Sequence, residues 1–312
     1  MQTEEKEKFS HYTIEEKKTA LKNIKILHPR FNHAIGLIRK CHDSINTSET
    51  PLSGLITGMS GSGKTTVIKT YLQKYGQVVS EETQTKKTIL YAEIVSPATI
   101  NTFMETLLEK LGDPFPVKGT IGNKNHRLVN LIHKCGIEII ILDEVQHFVQ
   151  TDDHLRINKV SDCFKSLVNR TNVPCVLFGM AESKQVLKAN SQLNRRFSIR
   201  YDLSTFAFDT EDSVKEFRTL LHLIDSQLPF VEMAGLGDMA DRFYYATNGL
   251  MDSIIKIIRE AAEIAIKDQK EKIDLKDLAK GFQLQAHLLE EGKMNPFAQK
   301  KFSINRTTKV SV

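Results

Sequence analysis

Between Gly58 and Thr65 the chain reads Gly-Met-Ser-Gly-Ser-Gly-Lys-Thr, which fits G-x-x-x-x-G-K-[ST] without a mismatch. Glycines at such spacing let the backbone turn tightly, so that several N–H groups converge on phosphate oxygens. Lys64 can reach the β- and γ-phosphates, and Thr65 can give its hydroxyl to Mg²⁺. The nucleotide-binding set is therefore read as Gly58, Ser60, Gly61, Ser62, Gly63, Lys64, Thr65 and Thr66. A second constellation lies at the end of the apolar run "IEIIILDE", Ile137 to Glu144. Asp143 is placed to hold a Mg²⁺ water shell, which makes Thr65 and Asp143 the metal pair. Glu144 is placed to polarise an attacking water. Together the two motifs imply Mg²⁺-nucleotide binding and hydrolysis. No N-K-x-D guanine-reading motif occurs, so ATP is the expected nucleotide.

These groups work only if a strand precedes the glycine loop, a helix follows it, and the acidic pair ends a neighbouring strand. The spacing supplies those elements. Apolar runs at Ser53–Thr57, Lys87–Val95, Ile137–Glu144, Val173–Gly179 and Phe197–Leu203 read as strands. Amphipathic stretches such as "TVIKTYLQKY" and "INTFMETLLEKLG" separate the first four. Such alternation predicts an α/β fold with a five-stranded parallel sheet between helices. After Leu203 the strand signal stops. Thr210 reads as a helix N-cap and Asn248-Gly249 as a helix end, with further helical patterns to about Glu291, so a small all-α domain is expected there. The expected organisation is a helical arm over 1–50, a nucleotide-binding domain over 51–205, an α-helical lid over 206–291 and a basic flexible tail over 292–312.

The 312 residues are enough for such a pair of domains. Cys41, Cys135, Cys163 and Cys175 form no C-x-x-C pair, which points to reduced thiols rather than zinc or disulfides. The charged start "MQTEEKEKFSHY" shows no signal peptide, and no apolar run is long enough to cross a bilayer. A cytoplasmic protein without membrane contact is expected. The net charge of +5 permits an acidic partner without demanding one.

The order of the P-loop, the Asp-Glu strand, "VPCVLFGM", "NRRF" and a helical lid resembles AAA+ ATPases. More narrowly, it resembles the TniB/TnsC-type regulators of transposition. The residues that carry the likeness are "ILHPRFNHAI" (26–35), "ILDEVQHF" (141–148), "VPCVLFGMAES" (173–183), "LNRRF" (193–197), "GLMDSIIKIIREA" (249–261) and "MNPF" (294–297). ABC transporter ATPases are disfavoured, because no L-S-G-G-Q precedes the acidic strand.

The resemblance implies an ATPase that forms a ring or helical filament on duplex DNA and links a target-selector protein to a transposase. It makes Arg195 or Arg196 the arginine finger for a neighbouring subunit, and it gives Gln146 and His147 a place near the nucleotide. It also exposes two departures. Met180 stands where the family usually shows a threonine, and Ser253 stands where relatives often place an arginine. Methionine is a poor hydrogen-bonding partner for a phosphate, so slow hydrolysis is expected. For the duplex, the basic stretch "PVKGTIGNKNHR" offers Lys118, Thr120, Lys124 and Arg127 with no acid. Contact there would be to the phosphate backbone, without base readout. The Asn-Pro-Phe tail suits partner docking. Two other readings remain open at this stage: a helicase loader or replication initiator, and a signalling NTPase that does not use DNA.

Overall fold

A parallel sheet covered on both faces needs apolar side chains at every strand position, because successive residues point to opposite sides. Ile139–Asp143 shows how the sequence meets this demand. Ile139 and Ile141 enter one apolar cluster with Ile56, Val176 and Phe178. Ile140 and Leu142 enter a second cluster, on the other face, with Leu55 and Leu177. The computed structural model describes residues 6–80, 85–149, 154–285, 292 and 294–304. It divides into two compact units, one being Pro29–Ser204 and the other drawn from Met1–His28 and Thr205–Val312.

The first unit holds strands β1 (Gly54–Thr57), β2 (Val78–Ser80), β3 (Thr85–Lys87), β4 (Ile89–Glu93), β5 (Ile139–Asp143), β6 (Cys175–Gly179) and β7 (Ile199–Asp202). Five of them form a parallel sheet in the order β4-β5-β6-β1-β7. The sequence reading therefore stands for the sheet. It did not foresee the antiparallel β2–β3 ribbon. Val78 and Val79 are exposed, so no buried face marks the ribbon in the sequence.

Helix α1 (Ile14–Asn23) belongs to the second unit, whereas α2 (Pro29–Thr47) belongs to the first. The expected arm over 1–50 is thus divided, with Pro29 at the first position of α2. Phe31, Ala34, Ile38 and Cys41 of α2 are buried in the cluster that also takes Val67, Ile68 and Tyr71 of α3 (Lys64–Tyr75). The opposite cluster takes Phe103 and Leu107 of α4 (Ile100–Lys110), Leu128 and Ile132 of α5 (Ile121–Lys134), and Phe164 of α6 (His154–Thr171). It also takes Val186 and Leu187 of α7 (Lys184–Lys188) and Leu193 of α8 (Ser191–Arg196).

The second unit is helical among its described residues: α1, then α9 (Glu211–Gln227), α10 (Ala240–Thr247), α11 (Met251–Lys267) and α12 (Leu275–Gln283), with short 3₁₀ turns. Thr210 caps α9 through a reciprocal bond with Ser213, as its position before the helical pattern predicted. Asn248 closes α10 in the left-handed region at φ 48°. Gly249 follows at φ 71°, and a Cβ there would run into the Phe206 carbonyl oxygen, so this corner requires glycine.

The Asn-Pro-Phe segment departs from the free docking peptide expected of it. Asn295 accepts the Phe297 N–H at 3.0 Å and donates to the Ala279 carbonyl at 2.9 Å. Phe297 is 2% exposed, its ring 4.9 Å from that of Phe243. An aromatic ring gains more by leaving water than this short segment gains by staying free. Lys293, Arg306 and Lys309 lie outside the described residues.

Candidate nucleotide site

The carboxyl ends of parallel strands are where α/β sheets bind ligands. Here they bring together the Thr57 end of β1, the Asp143 end of β5, the Gly179 end of β6 and the Asp202 end of β7. The phosphate loop leaves β1 at Gly58. A Cβ on Gly58 would lie 2.5 Å from Ser62 Oγ and 2.6 Å from the Leu203 carbonyl oxygen, so the turn closes only on glycine. Gly61 and Gly63 have φ of 79° and 100°, in the region that L side chains avoid. Gly63 then hands the chain to α3.

Lys64 is 6% exposed and donates to the carbonyls of Gly58 at 2.7 Å and Met59 at 2.9 Å. Burial pushes its ammonium below the usual lysine range, and the charges of Glu144, Asp143 and Asp202 oppose that shift. Thr65 Oγ1 donates to Asp143 Oδ2 at 3.3 Å, joining the two expected metal ligands. Burial also pushes the Asp143 carboxyl above its usual range; the Glu144 N–H, Lys64 and Thr65 pull it back. A divalent cation would reverse the effect of burial on that carboxylate. One hydroxyl and one carboxylate suit Mg²⁺, which keeps most of its waters. Among the described residues no group of three or more His, Cys, Asp or Glu could hold a metal. Ser62 Oγ is buried without a hydrogen-bond partner, a polar atom that a phosphate oxygen would satisfy.

Glu144 follows Asp143 with φ 60° and ψ 36°, in the left-handed region. Its N–H donates to Asp143 Oδ1 at 2.9 Å. The carboxylate takes the Gln146 amide, and His147 Nε2 lies 3.9 Å from the same oxygen. Gln146 Oε1 in turn accepts the Met180 N–H at 3.1 Å. Asp202, which no motif marked, accepts from Thr57 Oγ1 at 2.8 Å beneath the loop. Its only signal in the sequence was its place at the end of a strand.

The match to the family model described as Bacterial TniB protein runs over residues 19–205. The chain belongs to the TniB family. No curated protein matches it. Among solved structures, the ORC2 protein of Aeropyrum pernix (ADPNP-ADP complexes) is similar at 18% identity, covering 86% of this chain and 72% of that one, with a TM-score of 0.60. Cdc6p from Pyrobaculum aerophilum is similar at 15% identity, with 84% and 69% covered and a TM-score of 0.56. The Aeropyrum pernix ORC1 protein in complex with DNA is similar at 14% identity, with 86% and 69% covered and a TM-score of 0.55. These likenesses show a shared fold, and with the sheet order and P-loop this TniB-family chain has the AAA+ fold.

The remaining residues singled out in the sequence are not all equally available. Arg195 and Arg196 end α8; Arg195 is exposed, and Arg196 Nη1 is buried without a hydrogen-bond partner. Ser253, in α11 of the helical unit, is 2% exposed. In the basic stretch, Lys118 is exposed, with Nζ 4.2 Å from the Phe115 ring centroid. Thr120 is exposed too and caps α5 by accepting the Asn123 N–H at 3.3 Å.

Lys124 is 2% exposed, bound to Glu105 at 2.6 Å and Asn101 at 2.7 Å. Its ammonium is spent on joining α5 to α4, so its assignment to DNA is corrected. Arg127 is likewise committed, to Asp113 at 2.9 Å and to the carbonyls of Lys118 and Phe115 at 3.0 Å. It braces the loop that displays Lys118. No helix among the described residues is long and apolar enough to cross a membrane.

Proposed function

We propose that this TniB-family protein is a Mg²⁺-dependent ATPase of the cytoplasm that assembles on duplex DNA when ATP is bound, links a target-selector protein to a transposase, and is released by slow hydrolysis. The observation that carries the reading is the Thr65–Asp143 contact at 3.3 Å beneath a complete phosphate loop, with Glu144 adjacent. Gly58, Ser60, Gly61, Ser62 and Gly63 form the loop that would cradle the phosphates, with Thr66 in the first turn of α3, and Lys64 would exchange its two carbonyl partners for phosphate oxygens. Thr65 and Asp143 would hold Mg²⁺, which supplies charge neutralisation at the β- and γ-phosphates. Glu144 takes a proton from water as the water oxygen bonds the γ-phosphorus and the bond to the ADP oxygen breaks. Arg195, exposed at the end of α8, or Arg196, with its unpartnered Nη1, supplies positive charge to a neighbouring protomer's γ-phosphate.

Met180 offers no strong hydrogen bond from its side chain, which supports slow turnover and a timed switch rather than a motor. Lys118 and Thr120 present a cation and a hydroxyl to the duplex backbone. Mass photometry with ATP, Mg²⁺ and a random-sequence duplex tests this reading. Rings or filaments that require ATP are expected. Monomers only would defeat it, and assembly on single strands alone would favour a helicase loader.

A further inference from the structure

We propose that Gln146 is a positioning residue that fixes the carboxylate of Glu144 by tying it to the backbone at the end of β6. The proposal rests on Glu144 being the base for hydrolysis. Gln146 is 6% exposed, and a buried amide must find partners for both ends. Its Oε1 accepts the Met180 N–H at 3.1 Å. That bond fixes which end of the amide faces which way, since an N–H needs an acceptor. Nε2 is thereby turned toward Glu144, and it donates to Oε2 of that carboxylate. His147 Nε2 lies on the same oxygen at 3.9 Å. Among the described residues no hydrogen bond reaches the other oxygen, Oε1, which is left to take a proton from water.

The backbone supports the same arrangement. Glu144 sits at φ 60°, an uncommon place for a residue with a side chain, and such a conformation persists where its surroundings hold it. Gly179 admits the amide: a Cβ there would come within 2.7 Å of Gln146 Oε1 and would also strike Ser183 Oγ. Gln146 therefore spans from the acidic end of β5 to the last peptide of β6. A shift of the β6 terminus would move the Glu144 carboxylate with it. Met180 contributes only its N–H to this link, so the polar side chain comes from Gln146.

The test compares Gln146→Ala and Gln146→Glu in the full chain. Gln146→Glu keeps the volume and the acceptor for Met180 but sets a carboxylate against Glu144. A merely structural role predicts that Gln146→Glu stays near wild type and Gln146→Ala suffers more. A positioning role predicts the reverse order: kcat down about tenfold for Gln146→Ala and further for Gln146→Glu, with KM for ATP within about twofold, whatever either variant loses in melting temperature. A second measurement does not depend on turnover. In ¹⁵N-labelled protein, the Gln146 side-chain amide should show a shifted, slowly exchanging signal that moves in Glu144→Gln. A random-coil signal indifferent to Glu144→Gln, or the opposite order of kcat values, overturns the proposal. Absence of wild-type hydrolysis would instead remove the ATPase reading, and the amide signal would still report whether Gln146 holds Glu144.

Discussion

Lys64 and Lys124 each follow a glycine within two residues, and the sequence assigns each of them to a phosphate. Both are buried, yet their partners separate them. Lys64 holds two neutral carbonyls of its own loop, which a phosphate can outbid. Lys124 holds the Glu105 carboxylate and the Asn101 amide, and leaving them would strand a charge in the interior. What a buried cation is bound to, rather than its position in a basic stretch, decides whether it is available to a ligand.

This contrast can be broken by substitution. Lys64→Ala should have the largest effect, with ATP turnover falling on the order of 10²- to 10³-fold and nucleotide-dependent assembly lost, as read by phosphate release and mass photometry. Wild-type assembly by that variant would remove Lys64 from the site. Lys124→Met should act on the fold. Because the Glu105 side chain is 22% exposed, the cost should sit below that of a fully buried pair, about 2–3 kcal/mol in urea unfolding. The salt dependence of its DNA binding should match wild type. Lys118→Ala should have the smallest effect: stability unchanged, and the slope of log affinity against log salt reduced by about 0.9, the share of one phosphate contact. An unchanged slope for Lys118→Ala together with a reduced one for Lys124→Met would invert the comparison.

The same contrast shows how much was legible beforehand. The β5 run was readable because a strand buried on both faces has no room for polar residues, and the phosphate loop because φ near 79° and 100° demands glycine. Both constraints are local. Lys124 was misread because its fate depends on Glu105 and Asn101, which only tertiary packing brings to α5. Phe297 was misread for a similar reason: its burial depends on Phe243 and Phe282 in distant helices. The acidic pair was read from its place at a strand end. The Gln146 bridge was not, because it requires Met180 and Glu144 to approach across two strands.

The central claim is that ATP closes the assembly and hydrolysis by Glu144 reopens it. It is tested most directly by the lifetime of the DNA-bound assembly in Glu144→Gln, followed after chasing with excess unlabelled duplex. The account predicts wild-type assembly with ATP and a lifetime at least about tenfold longer, since the base is gone while the phosphate loop is intact. A lifetime equal to or shorter than that of the wild type would contradict it.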